Sequence, residues 1–323
     1  MCGTIGGRYD ISSSVRIFGA DGSVHVQHGG CEIGQGIHTK VAQAVALGLR
    51  CPLELVRVGE TSTSVSPNSS STGGSGTSES AVRSVLIACR KLRTALAPYE
   101  VADDWVATVA NAFAAGAELA AHGWSTPPSE EPFDYATYGV AAVEVQIDAL
   151  TGELQIERAD LMMDQGTPLN PAVDLGQDGG GFVMALGLFF TEEVQWSAAG
   201  AQLNLGTWEY KVPGAHDIPL EFNIEFARGL PNPSKYATLR SKASGEPPMA
   251  LGGAAFLAAR AAIRAYRASA LGRGRLCRHA DRRAADRRAR AAGMRSERGR
   301  LCTRVSRAGA SSIHDVTDTA LLI

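Results

Sequence analysis

Apolar and polar residues alternate through Val15-Arg16-Ile17-Phe18 and again through Val24-His25-Val26, with Asp21-Gly22 between them. A two-residue period broken by a turn dipeptide predicts a β-hairpin. The period then changes. Ile37, Val41, Val45 and Leu49 recur every fourth residue, which places them along one buried face of a helix. Gly29-Gly30 and Gly34-Gln35-Gly36 stand just before it, so a Gly-rich loop feeds a helix N-terminus. Leu55-Val56-Arg57-Val58 predicts a short strand, and Val82, Val85, Leu86, Cys89, Leu92 and Leu96 give a second helical face. Residues 97–134 carry no clear period, with Pro127-Pro128 and Glu130-Glu131 marking a surface excursion. Segments 138–147 and 153–162 predict two strands flanking Thr151-Gly152. Residues 176–190 predict a Gly-rich loop running into a helix, and 192–196, 207–212 and 220–226 predict strands. A last helix is expected over about 248–267, opened by Pro247-Pro248. There is no internal repeat and no strict βαβ alternation. The expected class is therefore α+β, with mixed sheets and packed helices.

Composition changes this picture at one end. The chain has 323 residues, 45% of them hydrophobic, enough for a sizeable core. Its net charge is −2, which argues against a bulk polyanionic partner. From Arg267 onward, however, there are 14 Arg, no Lys and 5 acidic residues, whereas the preceding residues carry a net charge of −11. Such a tail shows no apolar period and is expected to be poorly ordered. The expected organisation is one domain over 1–267 and an Arg-rich tail over 268–323. Six cysteines at 2, 31, 51, 89, 277 and 302 form no C-x-x-C pair. That disfavours zinc ribbons and iron–sulfur ligation within the chain and fits a reducing, cytoplasmic compartment. No apolar run reaches the ~18 residues of a membrane span, and no secretory start is visible.

Four motifs carry candidate chemistry. In Gly34-Gln35-Gly36-Ile37-His38-Thr39 the glycines allow close backbone approach. The helix N-terminus offers N–H groups to an anion, and Gln35 can both donate and accept. An ordinary helix-capping turn has the same spacing. The stretch 69–78, Ser69 through Gly73-Gly74-Ser75-Gly76-Thr77 to Ser78, could form a nest of N–H groups with hydroxyls around it. Composition alone makes it a flexible linker. Asp174 to Phe182 places Gln177 on a Gly-rich turn ahead of an apolar helix, where the glycines also serve packing. In Ser241-Lys242-Ala243-Ser244-Gly245-Glu246-Pro247-Pro248, the prolines push Glu246 out of the helical region at a helix mouth. A carboxylate held there is a general-base candidate or simply a helix-end stabiliser. The seven histidines form no H-E-x-x-H motif, so a protein-ligated metal has little support. His28 and His38 read as polar surface or loop residues.

Taken together and in this order, the motifs resemble the second half of the molybdopterin-binding domain of the xanthine dehydrogenase/aldehyde oxidase family, the molybdenum hydroxylases. The resemblance runs from about Tyr9 to Arg267. It is carried by Gly29-Gly30-Cys31-Glu32-Ile33-Gly34-Gln35-Gly36, Glu60-Thr61-Ser62-Thr63 through Pro67-Asn68, and Tyr138-Gly139-Val140-Ala141. Leu169-Asn170-Pro171 with Asp174-Leu175-Gly176-Gln177, and Ser241-Lys242 with Gly245-Glu246-Pro247-Pro248, complete it.

The resemblance implies roles residue by residue. Gln35 with Gly36, the stretch Gly73, Gly74, Ser75, Gly76 and Thr77, and Gln177 would contact a molybdenum–molybdopterin cofactor. The metal would be held through the pterin and by no side chain directly. Glu246 would be the general base in the oxidative hydroxylation of a purine, with an aldehyde as the alternative substrate. Pro247-Pro248 is similar to xanthine dehydrogenases, which points to purine catabolism. In the full-length family, electrons leave through [2Fe–2S] clusters and FAD, which this chain is not expected to bind. Those regions and the first half of the molybdopterin domain would join it in cis or in trans, and a homodimer is expected. Neither membrane nor nucleic acid is an expected partner. Gly179 departs from the glutamate frequent in relatives, and the tail does not resemble the family's ending. The chain alone is expected to be incomplete, and a truncated, non-catalytic module retaining the fold is the competing reading.

Overall fold

The computed structural model describes residues 10–126, 135–271 and 316–322. The chain divides into two compact units. The first comprises residues 1–137, 164–177 and 228–246; the second comprises 138–163, 178–227 and 247–323.

In the first unit, β1 (Ile11–Ile17) and β2 (Val24–His28) form the expected hairpin, registered Val15 to Val26. β2 continues through α1 (Ile37–Leu49) to β3 (Val56–Val58), which lies parallel to β2. After α2 (Thr77–Leu96) and α3 (Trp105–Ala114), β4 (Ala120–Ser125) pairs antiparallel with β1. The sheet order is β3-β2-β1-β4. The stripe Ile37, Val41, Val45 and Leu49 of α1 is fully buried against Val85, Cys89, Leu92 and Leu96 of α2. Each such side chain contributes about 1.5–3 kcal/mol by leaving water.

In the second unit, β5 (Gly139–Ile147) and β6 (Leu154–Met163) form the expected antiparallel pair, with a bulge at Glu144/Val145. β7 (Glu221–Phe226) joins β6 in parallel, and β8 (Val316–Leu322) joins β5 antiparallel, giving the order β7-β6-β5-β8. Each sheet thus contains one parallel and two antiparallel pairings, so the mixed α+β class holds. Phe182 and Leu186 and the alanines 254, 255, 258, 259 and 262 of α6 (Gly253–Leu271) make this unit's core. Alanines at that spacing let a helix approach a sheet closely.

Several expectations require correction. Residues 171–190 form one helix, α4 (Pro171–Phe190), so Gln177 and the glycines at 176 and 179–181 are helical and form no turn. The helix forms despite glycine's entropic penalty of ~1 kcal/mol each; one reason is visible at Gly179, where a Cβ would press to 3.2 Å from Ile224. Segments 192–196 and 207–212 are not strands. Trp196 makes an isolated bridge to Gln202, while Glu209 and Tyr210 donate backbone N–H groups to Gly206 and curl the second segment into a turn. The last helix is two: α5 (Pro247–Leu251) and α6, interrupted at Gly252, whose absent Cβ would meet Ala185 at 2.4 Å. Residues 97–126 are ordered into α3 and β4. Asp104, whose side chain accepts from Ala107 N–H at 2.8 Å, is the N-cap that could have announced α3. Most of the Arg-rich tail lies outside the described residues; β8 falls within it and had no sequence signal. Among the described residues no helix is long and apolar enough to cross a membrane.

Gly123 of β4 carries α2 on its backbone. A Cβ there would lie 1.8 Å from the Ser84 carbonyl oxygen. Gly123→Ala should therefore destabilise the chain by about 1–3 kcal/mol through forced separation of helix and strand. Urea unfolding checks this, and wild-type stability would show that the two do not approach so closely.

Candidate functional site

Four segments of the first unit enclose a cavity of about 190 Å³. They are the loop between β2 and α1, the Ser/Gly loop leading into α2, the start of α4, and the loop 241–246. Gln35, Gly73, Gly74, Ser75, Thr77, Gln177 and Glu246 all line it. Gly36 and Gly76 do not. A Cβ on Gly36, at φ 71°, would strike Val173 at 2.6 Å, and Gly76 is the N-cap of α2.

The Gln35 loop is closed by its own side chains. Gln35 Nε2 donates to the Cys31 carbonyl and its Oε1 accepts from Ile33 N–H, both at 2.7 Å. The Glu32 carboxylate accepts from the N–H groups of Gly34, Gly36 and His38 at 3.0–3.2 Å. Burial raises the Glu32 carboxyl, but those three donors outweigh it and hold the group below the usual carboxylate range. The α1 N-terminus was expected to offer N–H groups to a ligand anion. Glu32 occupies those of Gly36 and His38, because a carboxylate of the same loop reaches them first.

The Ser/Gly stretch 69–78 is built into the unit. Ser69 and Ser70 oxygens accept from Ser12 and Asp10 N–H, and Thr72 Oγ1 accepts from Cys31 N–H at 2.9 Å. Gly74 and Ser75 both adopt left-handed φ, 61° and 54°, which turns the chain towards Thr77 and α2. Space is open beyond the missing Cβ of Gly73.

Glu246 stands at the end of a loop pinned at each alternate residue. Lys242 Nζ donates to Asp164 and, at 2.8 Å, to the Ala136 carbonyl. Ser244 Oγ donates to Asp174 Oδ1 at 3.0 Å, the same oxygen that takes Lys40 Nζ at 2.6 Å. Ser75 Oγ accepts from Glu246 N–H at 2.9 Å and donates to Glu246 Oε2 at 3.1 Å. Gln177 Nε2 reaches the Gly34 carbonyl at 3.5 Å, a weak bond. Sequence reasoning missed Lys40, Asp164, Asp174 and Lys242. The available signal was Lys40 beside an otherwise apolar helical stripe.

His28 was also misread. It is fully buried at the end of β2, and its Nε2 lies 3.0 Å from His38 Nδ1. Gly30 N–H donates to His28 Nδ1 at 3.2 Å, so the neutral ring carries its proton on Nε2 and donates to His38. Burial and then the neighbouring His38 push His28 down to about 4, with Glu32 opposing. No group of three or more His, Cys, Asp or Glu side chains arranged for a metal occurs among the described residues.

With this geometry in hand, residues 4–219 match the model of the molybdopterin cofactor-binding domain. The chain belongs to that family. Rat xanthine dehydrogenase/oxidase is 41% identical over 260 residues, covering 77% of this chain and 19% of the relative. Xanthine dehydrogenase 1 of Arabidopsis thaliana is 39% identical over 266 residues, 76% of this chain and 19% of the relative. The chain thus spans about a fifth of the length of these family members. Among solved structures, quinoline 2-oxidoreductase from Pseudomonas putida 86 superposes with a TM-score of 0.68 at 23% identity, covering 79% of this chain and 36% of the other. The aldehyde oxidoreductase of Desulfovibrio desulfuricans gives 0.64 at 22% identity, with 79% and 28% covered. At that identity the likeness establishes the family fold.

Two predictions follow the buried groups. Asp174→Leu leaves the Lys40 ammonium buried without its anion and should cost about 3–5 kcal/mol, as should Lys40→Met; the double variant should recover most of the loss. A double-mutant cycle in urea measures this, and additive losses would remove the coupling. His28, lowered when folded, binds its proton first in the unfolded chain. Stability should be complete above pH ~6.5 and fall by about 3 kcal/mol as pH drops from there towards 4. His28→Gln should flatten that slope, and an unchanged slope would place its origin elsewhere.

Proposed function

We propose that the chain is the second half of the molybdopterin-binding domain of a xanthine dehydrogenase-like molybdenum hydroxylase, with Glu246 as general base in the oxidative hydroxylation of a purine. The carrying observation is that Glu246 lines one cavity with Gln35, Gly73 to Ser75 and Gln177, its carboxylate already turned by Ser75. The cavity suits a molybdenum–molybdopterin group. Its wall offers amide, hydroxyl and backbone groups, and the absent side chain of Gly73 leaves room for a flat ring to meet the backbone. Gln35, Gly73, Gly74, Ser75, Thr77 and Gln177 would hold it, with Gly36 and Gly76 shaping the turns behind them.

When bound, the group would supply the metal centre that takes up the substrate's electrons, which [2Fe–2S] clusters and FAD elsewhere in the full-length enzyme would carry on. Glu246 accepts the proton released as the attacking oxygen becomes nucleophilic. Because one hydroxyl and a pinned loop fix its direction, little reorientation is needed at the moment of transfer. The loop's buried anchors keep water from loosening that geometry. About 40% identity to xanthine dehydrogenases over three quarters of the chain favours a purine over an aldehyde. The iron–sulfur, FAD and remaining molybdopterin-binding regions would act with this segment in cis or in trans, in a cytoplasmic homodimer.

The test is to express the segment alone and joined to the complementary regions of a relative, measuring molybdenum content and hydroxylation with an artificial electron acceptor. The joined protein should turn over, and Glu246→Gln should lower its turnover by ~10²–10⁴-fold with molybdenum retained. Full activity of that variant would overturn the assignment of the base. Robust activity from the segment alone would overturn the need for the other regions.

A further inference from the structure

Within Gly73-Gly74-Ser75-Gly76, one residue is not glycine, and it sits where glycine is easiest. Ser75 has φ 54°, in the left-handed region. That conformation strains a residue with a Cβ, and such strain concentrates where function requires it. What serine adds in return is one hydroxyl, and both of its hydrogen-bonding roles go to Glu246. Ser75 Oγ accepts from the Glu246 backbone N–H at 2.9 Å and donates to Glu246 Oε2 at 3.1 Å. A hydroxyl has one proton and two lone pairs, so the two bonds are compatible. The partners are 171 residues apart, and no local turn imposes the contact. The intervening chain makes room for it: a Cβ on Gly245 would stand only 3.1 Å from Ser75 Oγ.

We propose that Ser75 is a positioning residue, whose hydroxyl clamps the backbone and carboxylate of Glu246 together and so sets the direction in which the base takes its proton. This goes beyond a cofactor contact for Ser75 and rests on the reading of Glu246 as the base.

Two variants separate hydroxyl from backbone. Ser75→Gly relieves the left-handed strain and Ser75→Ala keeps it; both remove Oγ. In the 323-residue chain, amide hydrogen exchange at Glu246 can be read from a short peptide, since Pro247 and Pro248 carry no N–H. Exchange there should quicken roughly three- to tenfold in both variants, the loss of one hydrogen bond, with the melting temperature of Ser75→Gly no lower than the parent's. In the joined enzyme, kcat per bound molybdenum should fall at least about tenfold in both variants, with KM unchanged. A purely conformational role predicts that Ser75→Gly behaves like the parent in both assays, and that result overturns the proposal. So does unchanged exchange in both variants, or a wild-type kcat in both. If Glu246→Gln retains full turnover, the base reading fails, whatever the exchange shows. If Glu246→Gln is inactive while the Ser75 variants keep the parent kcat, only the Ser75 proposal fails.

Discussion

A lysine buried in a largely apolar helix constrains the first unit more than any other group. Lys40 is nearly excluded from water, so its ammonium must find an anion inside the fold. Asp174 supplies it at 2.6 Å, from a point 134 residues further along the chain. Neither charge is tolerable without the other, and the same Asp174 oxygen also takes the Ser244 hydroxyl. Docking α1 against the start of α4 therefore fixes the loop that ends in Glu246. Lys242 with Asp164 repeats the device two residues earlier. Buried ion pairs are poor sources of net stability but strong specifiers of one arrangement, which is what a loop carrying a proton acceptor needs.

The second consequence concerns where ligand donors come from. The α1 N-terminus has the form of an anion site, yet Glu32 takes the N–H groups of Gly36 and His38, and Gln35 is hydrogen-bonded to its own loop. Of the two glycines that line the cavity from the Ser/Gly loop, Gly73 gives its N–H to Thr77 Oγ1, and no such bond engages the Gly74 N–H among the described residues. A carboxylate with three N–H partners keeps the Gln35 loop shaped before any ligand arrives. His28, at the end of β2 just before that loop, donates to His38, and burial pushes it down to about 4.

How much of this the sequence revealed depends on the range of the interaction involved. The α1 stripe, the β1–β2 hairpin and the β5–β6 pair were legible because each is dictated by neighbours within a few residues. α4 was not, because local propensity counts its glycines against a helix, whereas at Gly179 the missing side chain is what lets the helix lie close to Ile224. The false strand at 207–212 had the right residues and no partner strand. β4 and β8 pair across long separations that no periodicity records. At the site, Gln35, Gln177 and Glu246 were visible as motifs. Lys40 with Asp174, and Ser75 with Glu246, were not, since each bond joins residues more than a hundred positions apart.

The Ser/Gly stretch shows why composition alone misleads. Ser69, Ser70, Ser71, Thr72 and the glycines after them have too little apolar surface to order themselves by burial. They are ordered by stoichiometry of donors and acceptors. Ser70 N–H donates to the Asp10 carbonyl at 2.8 Å while its hydroxyl oxygen accepts from Asp10 N–H at 3.0 Å, so the stretch adds to the end of β1 much as a strand would. Ser69 accepts from Ser12 N–H, Thr72 from Cys31 N–H, and Thr77 Oγ1 from Gly73 N–H. Gly29 leaves the space in which Ser69 sits, since a Cβ there would lie 1.8 Å from Ser69 Oγ. In solution each hydroxyl would bond to water instead and the segment would be a linker. Beside β1 and the Gln35 loop, the same hydroxyls meet backbone groups that would otherwise be unsatisfied, and the polar stretch becomes a fixed wall.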